Sequence, residues 1–496
     1  MAHHVVKDAV WQIIGRVVSA VGGFLVIKMI TPYLGPLRFG DYSTILKYFA
    51  IWSALADFGM YVIALKKLGS IPAEQHEARK LLYSKFVSTR IILIVLIYVS
   101  AYLLTFFIPA YTSNPYLLWW LPLGMIFSAS FMAAGIIQIP LQLYRKMHQL
   151  SIGLTVARVA QLAVLVVVTL FVYPQVSFAT MGDWLAPFVR IIASVVISGL
   201  AQGIYVFRQG NKHLALSRKL DWSFTKHIIG ENWQYGVAYY CSSFHTLIVL
   251  LLFSWFFPTT EGFTLVGKRA LWLSLLEILL IVPSALGNSL IHKVAGNTLA
   301  EQRHSFGNLL MTVIWIGCII CINFVIFAPH IIHFLWGDAF LATATQRGSD
   351  TLLPWLAIIL TLSFVKQIFN YLFVSTHLQN KLLQINLVGV IIGVSIGIPL
   401  ILRYGLMGGL ITQGLLEVLF VIWSLWTAHK HGVLPYIDIP LVVFWIASTA
   451  LISGVGYWIL HTWHVTWWAR ILLSLGGTGI LTLLSKPHLA RLLKGL

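Results

Sequence analysis

The sequence predicts an all-α polytopic membrane protein with about fourteen transmembrane helices, and three observations support this fold class. The 496-residue chain is 59% hydrophobic and only 10% charged, whereas soluble globular chains are about 25% charged. Its apolar residues form runs long enough to cross a bilayer. Lys and Arg are concentrated between those runs. These features exclude a soluble enzyme, a disordered chain and a disulfide scaffold.

The spans follow from hydropathy. A bilayer core needs roughly 20 apolar residues per helix, because unpaired backbone groups cannot face lipid. By this criterion the spans lie near residues 10–30, 40–65, 81–108, 116–142, 152–173, 185–207, 231–257, 263–291, 308–335, 351–376, 383–402, 405–428, 440–461 and 466–485. No connection is long enough for a folded extramembrane domain, and no GxxxxGK[ST] phosphate-binding loop occurs. Any transport must therefore use a gradient, the membrane potential or a separate partner.

The charges between spans predict the topology. The connection at 174–184, after an odd-numbered span, contains only Asp183 as a charged residue. Connections after even-numbered spans are basic, and the one after span six contains Arg208, Lys212, Arg218, Lys219 and Lys226. Basic connections remain on the cytoplasmic side. Because the number of spans is even, both termini are expected in the cytoplasm.

The longest polar connector divides the chain into predicted domains. These are an N-lobe at 1–207 with spans one to six, a cytoplasmic linker at 208–230, a C-lobe at 231–428 with spans seven to twelve, and a terminal helix pair at 439–485. A shift of 222 residues aligns Trp11-Gln12 with Trp233-Gln234, Gly40 with Gly262, and Lys47 with Arg269. Parallel repeats of this kind predict two lobes with a substrate path between them.

Charged side chains inside the spans are the candidate site residues, because ionisable groups in lipid are costly and usually face a bundle interior or a water-filled cavity. The candidate substrate-binding cations are Arg16, Lys28, Lys47, Arg158, Lys268, Arg269 and Lys366. Lys28 and Arg90 lie near a membrane face, so a structural, snorkelling role is equally expected for them. Asp57 and Glu277 are either ion-coupling carboxylates or salt-bridge partners. Glu417 is interpreted as an isolated packing residue.

The sign of these charges predicts the class of substrate. Cations outnumber carboxylates inside the spans, whereas a site for a cation or a cationic drug would need carboxylates. A cationic cavity favours an anion, and the planar guanidinium of Arg binds phosphate oxygens bidentately. Neither a catalytic group nor a metal site is expected. Gly22-Gly23 in span one is either a hinge or a helix-packing contact.

Short glycine motifs resemble those of a known family. Span two opens with Phe39-Gly40-Asp41-Tyr42-Ser43 and carries Asp57-Phe58-Gly59-Met60 near its inner end, which resembles the FGxYS…DFG pattern of bacterial polysaccharide (O-antigen type) flippases. These flippases belong to the MOP superfamily with the MATE exporters and the lipid II flippases. Two further segments, Leu335-Trp336-Gly337-Asp338-Ala339-Phe340 and Arg403-Tyr404-Gly405-Leu406-Met407-Gly408-Gly409, resemble the family's segments ahead of spans ten and twelve. The similarity covers about residues 10–428. Span seven departs from the family, whose Asp-Arg pair is replaced here by an apolar stretch that follows His245.

The resemblance implies a MATE-like fold of two pseudo-symmetric six-helix lobes, and translocation of undecaprenyl-pyrophosphate-linked oligosaccharide across the bacterial inner membrane by alternating access. Such a protein would serve lipopolysaccharide or O-antigen assembly and would not be an enzyme. No cofactor is expected, and H⁺ or Na⁺ are the candidate coupling ions. The expected partners are the lipid-linked oligosaccharide, the bilayer, a polysaccharide polymerase and a chain-length regulator, with no nucleic acid. The alternatives are a MATE-type drug or cation antiporter and a membrane-embedded polymerase or glycosyltransferase.

Overall fold

The computed structural model describes residues 2–72, 74–144, 146–172, 185–216, 221–257, 259–294, 298–342, 348–376, 378–462 and 467–495. Across these residues the regular secondary structure is helical and no β-strand occurs. The helices are α1 (Ala2–Asp57), α2 (Met60–Gly69), α3 (His76–Thr105), α4 (Pro109–Thr112), α5 (Leu121–Ile137), α6 (Ile139–Leu143), α7 (Met147–Val166), α8 (Leu185–Asn211), α9 (Trp222–Phe256), α10 (Thr259–Leu279), α11 (Ile281–Val294), α12 (Leu299–Trp336), α13 (Ser349–Ser375), α14 (Gln379–Lys430), α15 (Ile439–Thr462) and α16 (Trp467–Gly495). A π-helical segment, Val167–Val172, extends α7, and a 3₁₀ turn, Asp338–Phe340, follows α12. The predicted all-α fold is confirmed.

Nine helical segments within the described ranges are long and apolar enough to cross a membrane. They are Val18–Asp57, His76–Thr105, Leu121–Leu143, Met147–Val172, Ala186–Asn211, Leu299–Trp336, Ser349–Ser375, Gln379–Lys430 and Ile439–Leu460. Two shorter apolar stretches, Leu247–Phe256 and Trp468–Leu483, lie in α9 and α16. The protein is a multi-pass membrane protein, as predicted. The count of fourteen crossings and the cytoplasmic location of the termini stay predictions.

Two long helices are each interrupted at a glycine. The backbone leaves helical geometry at Gly35 in α1, with a φ of 66°, and at Gly405 in α14, with a φ of 53°. Only glycine adopts a positive φ without steric cost, and Pro36 weakens α1 further because it lacks an N–H donor. Both interruptions fall at predicted boundaries between spans. Each long helix therefore supplies two of the predicted spans.

Side-chain caps define where two helices begin. The Asp221 carboxylate accepts a hydrogen bond from the Phe224 backbone N–H at 2.9 Å, at the start of α9. At the start of α12, Thr298 and Glu301 form a capping box, in which each side chain accepts from the backbone N–H of the other residue. These bonds satisfy N–H groups that the first turn of a helix leaves unpaired. Polar residues in the connectors thus determine where the long apolar helices start.

The chain forms two compact units, Met1–Gly267 and Lys268–Leu496. In the first unit, α1 packs against α3, α5, α7 and α9, and α8 packs against α5 and α7. In the second unit, α13 packs against α11, α12 and α14, and α12 also packs against α15 and α16. The boundary between the units lies inside α10. The predicted division into lobes, linker and terminal pair remains a prediction.

Within the first unit, α1 and α10 cross at glycines. A Cβ atom on Gly40 would lie 1.7 Å from the Phe263 carbonyl oxygen, and one on Gly267 would lie 1.9 Å from the Pro36 carbonyl oxygen. Neither position accepts a side chain unless a backbone moves. Small residues permit such close approach between helices in membranes. Gly40 belongs to the motif at 39–43, so one role of that motif is to let α1 pack closely on α10.

Polar contacts attach α16 to α12 in the second unit. Arg470 Nη1 donates to the Ile326 carbonyl oxygen at 3.1 Å, and Ser474 Oγ donates to Asn323 Oδ1 at 2.7 Å. Hydrogen bonds between helices stabilise association in lipid, where the hydrophobic effect does not drive helices together. The helix α16 is therefore held against α12 by polar contacts as well as by helix packing.

Candidate functional site

The predicted site cations divide between the two units. Lys28, Lys47 and Arg158 lie in the first unit, and Lys268, Arg269 and Lys366 lie in the second. The side chain of Arg16 lies outside the described residues. Lys28 and Lys47 are partly exposed, and each interacts with neighbouring groups. Lys268 is buried and lies in the electrostatic field of Asp350.

Arg158 in α7 is held by neutral side chains. Its Nε donates to Ser19 Oγ at 3.2 Å, and its Nη1 donates to Gln161 Oε1 at 3.0 Å. Within the described ranges no carboxylate forms a salt bridge with Arg158. A Cβ on Gly22 would lie 3.0 Å from the Arg158 Cβ, so Gly22-Gly23 leaves room for this side chain. The glycine pair thus makes a helix-packing contact, and no carboxylate in the described part of the chain compensates the charge of Arg158.

Arg269 in α10 has no exposed surface. Its Nη2 donates to Gln413 Oε1, and its guanidinium lies 5.5 Å from the centre of the Trp272 ring. Its Nε and Nη1 have no hydrogen-bond acceptor among the described residues, and no described carboxylate pairs with it. Burying a charge without a counter-charge is costly. Arg269 is therefore a buried cation whose hydrogen-bonding capacity is only partly used.

Lys366 in α13 lies beside a carboxylate and an aromatic ring. Its Nζ is 3.6 Å from Glu417 Oε1 and 4.3 Å from the centre of the Phe420 ring. Glu417 is 3% exposed, and its Oε2 has no hydrogen-bond donor among the described residues. Glu417 is therefore not the isolated packing residue that the sequence suggested. The error arose because its partner lies on another helix.

These contacts meet on one helix. Gln413 and Glu417 are four residues apart in α14 and so lie on the same helix face. Through them Arg269 of α10 and Lys366 of α13 are connected to α14. We refer to these four residues as the C-terminal charge cluster. With two cations and one carboxylate, it carries a net charge of +1 when all three groups are ionised.

Asp57 is held by Arg90 in the first unit. Arg90 Nη1 donates to the Asp57 carboxylate and, at 3.0 Å, to the Asp57 carbonyl oxygen. Asp57 is the last residue of α1, so its carbonyl lacks an intrahelical partner. The next two residues, Phe58 and Gly59, have positive φ angles of 49° and 67°. Arg90 therefore caps the end of α1, and the salt-bridge alternative describes Asp57 in this structure.

Two further carboxylates, Glu277 and Asp41, differ in burial. Glu277 in α10 is exposed and interacts with neighbouring groups. Asp41, in the motif at 39–43, is buried and accepts hydrogen bonds from Arg38 Nη1 at 2.8 Å and Asn114 Nδ2 at 2.7 Å. Sequence reasoning did not consider Asp41 as a paired group. Its salt-bridge partner is only three residues away, so the spacing could have indicated the pair.

The neutral partners of the arginines were also missed. Gln161 and Gln413 are 2% and 5% exposed and hold Arg158 and Arg269, respectively. Only charged residues were treated as site candidates, although an amide inside an apolar span is itself a signal of contact with another polar group. Gln161 lies three residues from Arg158, and this spacing could have been read from the sequence.

The family follows from comparison with known sequences. The sequence model of the family described as "Polysaccharide biosynthesis protein" matches residues 5–295, more than half of the chain. The chain belongs to this family. The match includes the motifs at 39–43 and 57–60, whereas those at 335–340 and 403–409 lie beyond it. No curated protein matches the chain.

Solved structures share the fold. The lipid II flippase MurJ, in an inward closed conformation, matches with a TM-score of 0.69 and 12% identity over 95% of this chain and 98% of that chain. An inward-facing multidrug resistance MATE family transporter matches at 0.58 and 12% identity, over 85% and 95%. A MOP superfamily transporter from Pyrococcus furiosus matches at 0.56 and 13% identity, over 87% and 96%. The MATE-like fold implied by the family resemblance is confirmed.

Proposed function

We propose that this protein is a flippase that moves undecaprenyl-pyrophosphate-linked oligosaccharide units from the inner to the outer leaflet of the bacterial inner membrane by alternating access. Membership of the polysaccharide biosynthesis family and the fold shared with the lipid II flippase MurJ support this proposal. A pyrophosphate headgroup is anionic, its glycan is too polar for lipid, and its polyprenyl tail can remain in the bilayer. A water-accessible path lined by cations within the membrane helices meets these requirements.

The observation that carries the proposal is the way two arginines are held. Arg158 and Arg269 are each bonded by a glutamine, and no described carboxylate neutralises either of them. Neutral partners keep a guanidinium oriented without cancelling its charge. A pyrophosphate would supply that charge and several acceptor oxygens, which the guanidinium can bind bidentately. Each arginine is thus better suited to an anionic headgroup than to a neutral sugar alone.

The described carboxylates favour this substrate over that of a cation antiporter, which shares the fold. Three carboxylates are buried and each has a basic partner: Asp41 with Arg38, Asp57 with Arg90, and Glu417 with Lys366. A transported cation would have to displace a resident basic group from any of them. A cationic drug is therefore the weaker candidate.

We also propose the location of the termini, the energy source for transport and the protein partners. Both termini lie in the cytoplasm, the protein is not an enzyme, and it uses no cofactor. Transport is coupled to H⁺ or Na⁺ or driven by the membrane potential. A polysaccharide polymerase and a chain-length regulator are the proposed protein partners, since they would use the exported units.

The test is to locate the substrate when the protein is absent. Deletion of the gene should leave complete lipid-linked repeat units on the cytoplasmic leaflet, measured by their inaccessibility to a glycan-modifying enzyme added outside spheroplasts. A plasmid-borne wild-type copy or a Lys212→Gln variant, altered at an exposed cation, should restore export. Arg269→Gln should not restore it despite normal membrane levels. Unpolymerised units on the outer leaflet would instead indicate a polymerase. An unchanged distribution of lipid-linked units between the leaflets, together with altered drug resistance, would indicate an antiporter.

A further inference from the structure

We propose that Gln413 and Glu417 act as internal substitutes for the transported anion, occupying Arg269 and Lys366 when no substrate is bound and giving way to the substrate pyrophosphate when it binds. The inference rests on the proposed function and deepens it, since it assigns a role in substrate release to two residues that are not themselves cations. Both are positioning residues, acting on the substrate through the cations they hold.

Geometry is the first support. Gln413 Oε1 accepts from Arg269 Nη2, and Glu417 Oε1 lies 3.6 Å from Lys366 Nζ. The two acceptors are separated by one turn of α14, whereas the cations come from α10 and α13. A single helix thus presents an amide and a carboxylate to cations on two other helices. A movement of α14 would withdraw both acceptors together.

Incomplete hydrogen bonding is the second support. A nitrogen–oxygen separation of 3.6 Å is an ion pair but too long for a hydrogen bond. Glu417 Oε2 has no donor among the described residues, and Arg269 Nε and Nη1 have no acceptor there. A ligand with several oxygen atoms would therefore use hydrogen-bonding capacity that Gln413 and Glu417 leave open.

The charge of the cluster is the third support. A carboxylate at 413 as well as at 417 would neutralise both cations and leave little attraction for an anion. A glutamine at 413 orients Arg269 but preserves a net charge of +1. Without Glu417, the cluster would hold two cations and no carboxylate after release, which is costly in a buried site. Gln413 thus preserves the positive charge that binds an anion, and Glu417 compensates part of the positive charge after the anion has left.

This arrangement has a thermodynamic consequence. Because Glu417 competes with the substrate for Lys366, it lowers the affinity of the empty protein for the substrate. The same competition stabilises the empty state and so favours release on the far side. A ligand that binds two conformations equally does not shift the equilibrium between them. An internal competitor, in contrast, favours the conformation without substrate. Removing the carboxylate should tighten binding and slow turnover, and adding one should weaken binding.

The test compares Glu417→Gln with Gln413→Glu in the full-length protein in detergent, with farnesyl pyrophosphate as the probe and farnesol as the uncharged control ligand. Calorimetry should show binding about tenfold tighter for Glu417→Gln and about tenfold weaker for Gln413→Glu, as expected for one added or lost buried charge contact. In reconstituted vesicles, Glu417→Gln should lower both KM and kcat. Glu261→Gln, which alters an exposed carboxylate in α10, is the matched control and should change neither.

The outcomes separate this inference from the proposed function. If the wild type binds farnesyl pyrophosphate but both substitutions weaken binding, the two residues are structural only and the inference is wrong while the proposed function stands. If the wild type binds farnesyl pyrophosphate no better than farnesol, the proposed function fails and the inference fails with it. Should Glu417→Gln not fold, Glu417→Asp and Gln413→Glu still decide, because a purely structural role predicts no opposite change in affinity between them.

Discussion

Arg90 in the first unit and Arg269 in the second are almost equally buried, at 2% and 0% exposed, but their partners differ. Arg90 contacts the carboxylate and the carbonyl oxygen of Asp57, so its charge is compensated where it is needed to end α1. Arg269 contacts the amide of Gln413 and the face of Trp272, so its charge remains. Burial alone therefore does not separate these two arginines, and the proposed binding role of Arg269 rests on the neutral charge of its partner.

The Arg90 contact also explains the motif at 57–60. After Asp57 the backbone turns through two residues with positive φ, Phe58 and Gly59. The Phe58 ring packs closely against Gly236 of α9, where an added Cβ would lie 2.6 Å from the ring. The turn thus fixes the end of α1 and packs its aromatic residue on α9. A motif that resembles a family signature has, in this region, a role in helix capping and packing.

The largest effect is expected at the compensated pair. Arg90→Leu should destabilise the protein by about 3–5 kcal/mol, because it leaves the Asp57 carboxylate buried without its cation. The double variant Arg90→Leu with Asp57→Leu should recover much of this loss, since neither charge then remains. Thermal unfolding in detergent measures both. Wild-type stability of the single variant would contradict a structural role for the pair.

The uncompensated arginine should behave in the opposite way. Arg269→Gln should abolish most export, at a cost of about 2–4 kcal/mol in substrate interaction, while leaving stability unchanged or increased. Arg269→Lys should retain part of the activity, because lysine keeps the charge but loses the bidentate fork. Lys47→Gln should match Arg269→Gln if the 222-residue repeat is functional, and Lys47→Arg should remain active. Export by reconstituted protein is the measurement, with membrane levels checked in parallel.

Normal export by both Gln variants would show that neither Lys47 nor Arg269 is needed for transport. Both the functional role of the repeat and the binding role of the uncompensated charge would then be wrong. Loss of export by Arg269→Gln alone would keep the site but exclude Lys47 from an equivalent position.

Arg158 extends the comparison within the first unit, where it is the counterpart of Arg269. Arg158→Gln should weaken binding of a prenyl pyrophosphate by about 1.5–3 kcal/mol, the range for hydrogen bonds to charged groups. Gln161→Leu should weaken it less, because the guanidinium stays but loses one orienting contact. Calorimetry with the detergent-solubilised protein measures both affinities. Equal affinities for Arg158→Gln and the wild type would show that an uncompensated charge is insufficient to identify a binding residue.

The smallest effect is expected at a partly exposed ion pair that involves Lys85, on the same helix as Arg90. Lys85 Nζ lies 2.8 Å from Asp221 Oδ2, and the hydrogen bond from Lys85 holds the pKa of Asp221 below its ordinary value. Lys85→Met should lower the unfolding temperature only slightly, because solvent screens an ion pair that lies at the surface. The contribution is present at neutral pH and lost as the pH falls through that lowered pKa. A loss of stability comparable to that of Arg90→Leu would contradict the distinction between buried and partly exposed ion pairs.

Hydropathy and local residue types were sufficient for the broad architecture. Long apolar runs predicted membrane helices because backbone groups in lipid must be paired within the helix, and this depends on each segment alone. The interruptions at Gly35 and Gly405 lie where the spans were predicted to change, since glycine and proline act locally. The identities of the buried cations also followed from the sequence, because a charged residue in an apolar run is visible without knowledge of its neighbours.

The partners of those cations required the tertiary structure. Arg90 and Asp57 are separated by 33 residues, and Arg269 and Gln413 by 144, so no local pattern links them. The repeat equates Lys47 with Arg269, yet the first is partly exposed and the second fully buried. Whether a charge is compensated depends on how each helix is rotated and which helix it faces. The sequence therefore determined that charges lie within the membrane helices, and only the packing of those helices decided which of them are neutralised.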